Sequence, residues 1–336
     1  MTVLVTGGAG YIGSHTVHEF VDAGEKVVVL DNLSTGFAAA LPKPMLPIVC
    51  DTGDDKLVAE LIKTHEVDAI VHFAASIVVP DSVRDPLGYY KNNTANTRSL
   101  IETAVKCGVK HFIFSSTSAV YGNPAKVPVT EDTPPAPVSP YGWPKLMSEQ
   151  MLRDAGTAHG LNHVILRYFN VAGGDPEQRT GQSTPDATHL IKVAVQAALG
   201  QRERLDVFGT DYPTPDGTCI RDYIHVSDLA RAHLAALLHL RSGGDSTTLN
   251  CAYGQGYSVL EVIEAVKRAS GRDFPVRMSP RRPGDPMSIV ATGQRIRQVL
   301  GWRPQFDDLD TIVAHALAWE RRLVEKGRPV REAIPA

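Results

Sequence analysis

A glycine-rich turn near the N-terminus constrains this chain more than any other feature. The β-branched run at residues 2–6 leads into Gly7-Gly8-Ala9-Gly10-Tyr11-Ile12-Gly13, and a helical stretch and a second strand follow, ending at Asp31. This order of strand, glycine turn, helix, strand and acid is typical of a dinucleotide-binding unit. Gly7 and Gly10 let the backbone approach a pyrophosphate, and Gly13 lets the helix pack close to the strand.

The residues after the second strand indicate which dinucleotide binds. The Asp31 carboxylate can accept hydrogen bonds from ribose hydroxyls, and Asn32-Leu33-Ser34 contains no Arg or Lys to bind a 2′-phosphate. The sequence therefore predicts NAD rather than NADP.

Strands and helices alternate through the first half of the chain. Further strands are predicted at 47–50, 69–73, 112–116 and 163–168, with helices at 54–65, 87–107 and 140–159. Alternation of this kind predicts an α/β fold with a doubly wound, Rossmann-like parallel sheet, whose ligands bind at the carboxyl ends of the strands. We expect an NAD-binding domain at 1–170, with 220–252 returning to it, and a smaller mixed α/β substrate lobe at 171–219 and 253–336.

Composition excludes several classes of partner. The 336 residues carry a net charge of −3 with no basic run, which argues against nucleic acid. No apolar run approaches the roughly 18 residues of a membrane span. The four cysteines form no Cys-x-x-Cys, and His189 and His225 lack second ligands at metal spacing, so we expect no metal site and a reducing, cytoplasmic location.

Two side chains stand four residues apart in a predicted helix. Tyr141 and Lys145 then share one face, with Thr117 at the end of the strand at 112–116. An ammonium near a phenol favours the phenolate, which can exchange a proton with a substrate hydroxyl.

Several longer motifs carry a family resemblance. The glycine turn, Phe112-Ile113-Phe114-Ser115-Ser116, Leu166-Arg167-Tyr168-Phe169-Asn170, Asp211-Tyr212-Pro213-Thr214 and Arg221-Asp222-Tyr223-Ile224-His225-Val226 stand along the chain. With them the chain resembles the extended short-chain dehydrogenase/reductase superfamily, and within it the UDP-galactose (UDP-glucose) 4-epimerases, over nearly its full length.

The resemblance implies a tightly held NAD and a UDP-sugar that is oxidised at C4, turned over and reduced on its other face. Tyr141 would move the hydroxyl proton, Thr117 would share it, and Lys145 would also hold the nicotinamide ribose. The implied cofactor positions are Gly7, Gly10, Tyr11, Ile12, Gly13, Asp31, Asn32, Asp51, Phe73, Ala74, Asn92, Lys145 and Tyr168. The implied substrate positions are Thr117, Asn170, His189, Leu190, Phe208, Arg221, Arg282, Asp285 and Ile289. The family also implies a homodimer through the helices at 87–107 and 146–159.

Some positions depart from the family pattern. Ile77 replaces a Lys near the pyrophosphate, His189 replaces an Asn, and Thr117 replaces a Ser. Ile289 stands at the sugar-pocket gate, where a large aromatic tends to exclude N-acetylated sugars and a small residue admits them. UDP-GlcNAc and UDP-xylose therefore remain alternative substrates. Pro144 replaces Ser or Thr, and in a helix that opens at Pro140 it would lack a backbone bond and bend the second turn.

Three other activities are compatible with parts of the pattern. A nucleotide-sugar dehydratase or decarboxylase would carry an acid directly after Thr117, where this chain has Ser118 and Ala119. A net oxidoreductase that releases NADH is opposed only by the resemblance. A non-catalytic NAD sensor would be expected to lose Tyr141 or Lys145.

Overall fold

The computed structural model describes residues 1–185, 187–282 and 285–327. The strands are β1 Thr2–Thr6, β2 Lys26–Asp31, β3 Ile48–Val49, β4 Val67–His72, β5 His111–Ser115, β6 Asn162–Tyr168, β7 Asn170–Ala172, β8 Leu205–Phe208, β9 Ile220–His225, β10 Thr247–Cys251, β11 Gly256–Ser258, β12 Val276–Ser279 and β13 Ser288–Ile289. The helices are α1 Tyr11–Asp22, α2 Asp55–Thr64, α3 Val79–Arg84, α4 Pro86–Tyr90, α5 Asn96–Lys106, α6 Gly142–His159, α7 Leu190–Ala198, α8 Val226–Arg241, α9 Val259–Ser270, α10 Gln294–Leu300 and α11 Leu309–Lys326.

Seven strands form one parallel sheet in the order β10-β6-β5-β4-β1-β2-β3. Every neighbouring pair in it is parallel. The strand order reverses between β1 and β4, which creates the crevice where ligands bind in such sheets. The predicted doubly wound α/β fold is confirmed.

Apolar side chains cover both faces of this sheet. On one face Val5 and Ile113 pack with Val17 and Phe20 of α1 and Leu229 of α8. On the other face, Leu4 and Phe112 pack with Val58, Leu100 and Leu152 of α2, α5 and α6. Burying each such side chain stabilises the fold by about 1.5–3 kcal/mol, so the sheet is a rigid platform for the residues at its edge.

A smaller sheet lies beside the main one. In it β9 pairs in parallel with β7 and β13 and antiparallel with β11. A separate parallel pair joins β8 to β12. Strand β10 returns to the main sheet beside β6, as expected, whereas β9 belongs to the smaller sheet. The division of the chain into two domains stays a prediction.

Two predicted helices differ from the structure. The helix expected at 87–107 is three consecutive pieces, because a π-helical turn at Lys91–Ala95 separates α4 from α5. The helix expected from Pro140 begins at Gly142, after a turn in which Gly142 and Trp143 donate backbone bonds to the Ser139 carbonyl. Pro144 therefore lies in the first turn of α6, where a backbone N–H has no helical partner, so its expected place in the second turn, with the loss of a helical hydrogen bond, is wrong.

Within the described ranges, no helix is both long and apolar enough to cross a membrane.

Candidate active site

The glycine turn brings three backbone segments into contact. A side chain at Gly13 would place its Cβ 2.1 Å from the Gly7 carbonyl oxygen. Gly7 has φ +71°, and a Cβ there would lie 2.5 Å from the Ala74 nitrogen. Both positions thus require glycine. The turn opens α1, whose first backbone N–H groups face the carboxyl edge of the sheet, so this cradle fits the pyrophosphate of a dinucleotide.

Asp31 closes the far side of this cradle. Its two carboxylate oxygens accept hydrogen bonds from Ala9 N (2.9 Å) and Leu33 N (2.8 Å). Burial raises the pKa of Asp31, while these two backbone bonds lower it. Each oxygen keeps a second lone pair, which suits ribose hydroxyls.

The next strand ends supply further polar groups. Asn32 Nδ2 lies 3.5 Å from Asp51 Oδ2, and Asp51 Oδ1 accepts from Gly53 N at 2.8 Å. Asn92, on the π-helical turn, donates to Ser76 Oγ at 2.9 Å. Such turns are frequent at functional sites because they redirect side chains. Ile77 is half exposed beside them.

The remaining predicted cofactor positions line the same edge. The Tyr11 hydroxyl donates to Gly173 O at 2.8 Å, and Ile12 follows it in the first turn of α1. The Phe73 ring lies 4.7 Å from the His233 ring. The close approach of Gly7 to Phe73 and Ala74 brings the glycine turn and the end of β4 together.

Thr117 and Tyr141 meet at the end of β5. Burial raises the pKa of Tyr141, whereas a hydrogen bond with the Thr117 side chain lowers it. Thr117 Oγ1 also accepts from Ala119 N at 3.1 Å, and that bond fixes its rotamer. The predicted pair of hydroxyls is thus assembled at the sheet edge, in a position to share a substrate proton.

Lys145 lies on α6, the helix that Tyr141 immediately precedes, and its side chain is almost fully buried. Its ammonium donates to the Ser115 carbonyl at 2.9 Å and lies 5.0 Å from the centre of the Phe114 ring. Burial lowers the pKa of Lys145 to about 8, and Glu149 opposes this shift. The hydroxyls of Ser115 and Tyr168 are also bonded to each other. Burial and the nearby Tyr141 raise the pKa of Tyr168, so its phenol stays neutral.

The smaller sheet presents the predicted substrate residues. Asn170 of β7 is in register with Tyr223 of β9, and Ile289 of β13 is in register with Arg221. Arg221 Nη2 lies 3.8 Å from Asp285 Oδ1. The Ile289 side chain is buried in an apolar cluster with Val120, Tyr121, Val129, Phe169, Ala252 and Ala291.

Two further substrate positions lie at strand and helix ends. The Arg282 guanidinium stacks on the Phe208 ring at 3.6 Å. His189 immediately precedes α7, which begins at Leu190, and its Nδ1 is buried with no hydrogen-bond partner among the described residues. Burial and Lys192 lower the pKa of His189, so the ring is neutral.

A buried polar network lies beneath the site, and the sequence did not predict it. Glu149 and Arg167 form an ion pair that also contacts Ser116. A charged residue inside an apolar strand, such as Arg167 in β6, is the signal that could have indicated it, because such a charge requires a partner.

Comparison with known proteins places the chain. The model of the NAD dependent epimerase/dehydratase family matches residues 3–252. The chain belongs to this family. It is 59% identical to the UDP-glucose 4-epimerase of Azospirillum brasilense over 96% of this chain and 92% of that protein.

Solved structures agree with this family assignment. The UDP-glucose 4-epimerase of Brucella ovis, in complex with NAD, superposes with a TM-score of 0.91 at 43% identity, over 94% of this chain and 97% of that one. The UDP-Glc/GlcNAc 4-epimerase of Campylobacter jejuni gives 0.83 at 49% identity, over 96% and 99%. The family resemblance and the fold predicted from the sequence are confirmed.

Proposed function

We propose that the protein is an NAD-dependent isomerase that interconverts UDP-glucose and UDP-galactose by epimerisation at C4. The observation that carries this proposal is the hydrogen bond from Lys145, four residues after Tyr141, to the carbonyl of Ser115, two residues before Thr117, which joins these residues beside the glycine cradle at the carboxyl edge of one sheet. A proton-exchanging phenol next to a dinucleotide site is the arrangement that reversible oxidation of a sugar hydroxyl requires.

In this proposal each residue at the end of β5 and the start of α6 has its own role in the reaction. NAD, when bound, supplies a hydride acceptor for C4 and later the hydride that returns to the other face. Tyr141 takes the proton of the C4 hydroxyl, while the Thr117 hydroxyl, 7% exposed, shares that proton. We infer that the positive charge of Lys145, four residues further along the chain, favours the phenolate and opposes the effect of burial, which raises the pKa of Tyr141. Tyr168, bonded to Ser115, occupies the same strand-end edge.

The cofactor contacts are proposed from the geometry of the cradle. The pyrophosphate would be held by the glycine turn, at Gly7, Gly10, Tyr11, Ile12 and Gly13. The adenosine ribose would be held by Asp31 and Asn32. Asp51, Phe73, Ala74, Asn92 and Lys145 complete the crevice from the following strands. The fit rests on glycine positions that no side chain can occupy and on the inward-facing carboxylate of Asp31.

The proposed contacts of the UDP group lie on the smaller sheet and at the end of β8. Arg221 and Arg282 offer planar donors to the diphosphate, and each already has an anchor, Asp285 for one and the Phe208 ring for the other. Asn170 of β7, and His189 and Leu190 at the start of α7, are the other proposed contacts of the UDP-sugar. Binding remote from C4 lets the oxidised sugar turn over while its nucleotide remains fixed.

A dehydratase or decarboxylase activity is less well supported. Thr117 opens a short 3-10 turn at Ser118–Tyr121, and that turn carries no carboxylate. Elimination of water would need an acid and a base at this place. The turn after Thr117 therefore supports epimerisation rather than elimination.

A homodimer is proposed through a groove between α5 and α6. The groove measures about 500 Å³ and has an apolar floor of Ile101, Val105, Met151, Ala155 and Ala158. Its rim carries both signs of charge, which suits pairing with a second copy of the same surface. In the variant Ala155→Glu, which places a charge on the groove floor, light scattering should give the molar mass of a monomer at concentrations where the unmodified protein is a dimer.

We also propose a cytoplasmic location. All four cysteines are free in the structure, which suits a reducing compartment.

The decisive experiment offers the purified protein UDP-glucose, UDP-GlcNAc and UDP-xylose separately and separates the C4 epimers by chromatography. We expect UDP-galactose from UDP-glucose without added NADH. No epimer from any of the three sugars would refute the proposal, and a product from UDP-GlcNAc or UDP-xylose alone would transfer it to that sugar.

A further inference from the structure

A buried ion pair lies directly beneath the proposed catalytic residues. Arg167 Nη2 donates to Glu149 Oε2 at 2.6 Å, and Arg167 Nε donates to Glu149 Oε1 at 2.9 Å. Both side chains are almost completely buried, at 2% and 0% exposure. A buried pair gains little net stability because both charges lose their hydration. The place of this ion pair in the structure is therefore better explained by the neighbouring residues that it holds in position.

The Glu149–Arg167 pair is hydrogen-bonded to the segment that follows β5 and carries the Thr117 hydroxyl. Ser116 Oγ donates to Glu149 Oε1 at 2.6 Å. Ser116 stands between Thr117 and Ser115, whose carbonyl accepts from Lys145 at 2.9 Å. Glu149 thus reaches the two proposed catalytic side chains through adjacent residues of one strand end.

Arg167 extends the network to the segment after Thr117. Its Nη1 donates to the Tyr121 hydroxyl at 3.0 Å, and that hydroxyl donates to Asn250 Oδ1 at 2.7 Å. Tyr121 ends the short 3-10 turn that Thr117 caps. The ion pair therefore joins β6, α6, β10 and both ends of this turn.

Glu149 also acts on the charge of Lys145. The two residues are one helical turn apart on α6, and Glu149 raises the pKa that burial lowers. In the part of the chain that the structure describes, other ionisable groups near this place include the phenols of Tyr141 and Tyr168, His72 on β4, the guanidinium of Arg167 on β6, and Arg153 on α6, which contacts Glu149 at 2.9 Å. Burial and Lys145 lower the pKa of His72 to about 3, so its ring is neutral.

We propose that Glu149, held in place by Arg167, is a positioning residue for the epimerase reaction that fixes the Thr117 strand end through Ser116 and places a negative charge one helical turn from Lys145. This inference rests on the proposed function, because it assigns a purpose to the geometry of Thr117, Tyr141 and Lys145.

The central variant is Glu149→Gln, which keeps the shape of the side chain and removes its charge. We expect the alkaline limb of the kcat–pH profile to move to lower pH by about half a unit or more, since Lys145 loses its nearby anion. The acidic limb should stay in place. A lower kcat at all pH values with an unmoved alkaline limb would show a merely structural role and would overturn the proposal.

Three companion variants make the result independent of a single change. Arg167→Met leaves the Glu149 anion without its guanidinium, so the alkaline limb should move to higher pH. Ser116→Ala keeps both charges and should lower kcat about threefold to tenfold without moving either limb, because it loses one hydrogen bond to the strand end. Tyr121→Phe is the matched control, since its hydroxyl bonds to Arg167 and Asn250 and both charges of the ion pair remain in the variant, so both limbs of its kcat–pH profile should match those of the unmodified protein.

A direct titration gives a readout other than turnover. ¹³C NMR of protein labelled at lysine Cε follows the pKa of Lys145, identified by the signal that disappears in Lys145→Met. The pKa should fall in Glu149→Gln and rise in Arg167→Met, and equal values in all variants would overturn the proposal. If Glu149→Gln does not fold, the proposal is tested by the shift of the alkaline limb and of the Lys145 pKa in Arg167→Met and by the fall of kcat in Ser116→Ala. Absence of epimerase activity in the unmodified protein would refute the proposed function instead, and the titration would still test the action of Glu149 on Lys145.

Discussion

The ammonium of Lys145 lies 2.9 Å from the carbonyl oxygen of Ser115, so the first turns of α6 are joined to the end of β5. The sequence pairs Lys145 with Tyr141 by their spacing. The structure adds that the lysine is anchored to Ser115 at the end of β5, the residue that precedes Ser116 and Thr117. Phenol, hydroxyl and ammonium are therefore held by one strand–helix junction.

Replacement of Tyr141 by Phe removes the group that moves the substrate proton. We expect kcat to fall by about 10²–10⁴-fold, which is the usual contribution of a general acid–base group. Bound NAD, measured by its release on denaturation, should stay unchanged. Tyr89→Phe serves as a control for the loss of a nearby phenol hydroxyl, because the Tyr89 hydroxyl donates to the Val78 carbonyl at 2.7 Å. Near-normal turnover in Tyr141→Phe would contradict the mechanism.

Alanine substitutions in the glycine turn should have graded effects on NAD binding. A Cβ at Gly13 would overlap the Gly7 carbonyl at 2.1 Å, whereas one at Gly10 would lie 3.2 Å from the same atom. We expect Gly13→Ala to be isolated without NAD and Gly10→Ala to retain part of it, as measured by absorbance of the released nucleotide. Equal NAD content in both variants would argue against the cradle.

The adjacent arginines Arg281 and Arg282 should differ in their effect on substrate binding. Arg282 stacks on Phe208 and is proposed to bind the diphosphate, while Arg281 stacks on Tyr212 at 4.0 Å and bonds to Asp211. Loss of a charge-assisted bond costs about 1.5–3 kcal/mol, so Arg282→Met should raise KM by about 10–100-fold. Steady-state kinetics should show little change in Arg281→Met. Similar KM values for the two variants would remove Arg282 from the binding site.

The size of residue 289 should set the range of accepted sugars. Ile289 is 5% exposed and packs with Val120, Tyr121 and Phe169 beside the Thr117 turn. Ile289→Gly should raise kcat/KM for UDP-GlcNAc relative to UDP-glucose, and Ile289→Tyr should lower this ratio, because the pocket volume changes in opposite directions. The ratio measured for both sugars in each variant tests this, and an unchanged ratio in both would place the gate elsewhere.

Asp222 should make stability depend on pH in a defined window. Its buried carboxylate accepts from the backbone N–H groups of Tyr253, Gly254 and Ala291, and burial raises its pKa from 3.8 to about 7. Because the folded protein binds this proton more tightly than the unfolded chain, its contribution to stability is complete below pH 3.8 and is lost as pH rises to about 7.

Asp222→Asn has no such titration and isolates this effect. The free energy of unfolding of the unmodified protein, relative to that of Asp222→Asn, should fall by roughly 3 kcal/mol between about pH 5 and pH 8. Urea titrations at several pH values measure this difference. A difference that is constant with pH would show that Asp222 is ionised throughout.

The local pattern of the sequence was enough to predict the dinucleotide unit and the main sheet. Buried strands such as β1 and β6 are continuous apolar runs, and the turn at Gly7–Gly13 has only one common structural meaning. The resemblance then supplied the site positions, which the structure gathers at the strand ends and on the smaller sheet.

Features that depend on contacts distant in sequence could not be predicted in this way. Glu149 and Arg167 are 18 residues apart on different elements, and periodicity does not report that they meet. The start of α6 at Gly142 was also missed, because Ser139 and Pro140 form a separate turn despite resembling a helix start. The fit of Gly7 against Ala74 likewise arises only when β1 and β4 pair.

The most direct test of the proposed reaction follows the hydrogen at C4. UDP-glucose that carries deuterium at C4 is incubated with the protein in ordinary water, and the UDP-galactose formed is analysed by mass spectrometry and NMR. We predict that the deuterium remains at C4 in the product, because it is stored in the site as hydride and returned to the same carbon. Loss of the deuterium to solvent, or a deuterated product formed at another carbon, would contradict epimerisation at C4 by NAD-mediated hydride transfer.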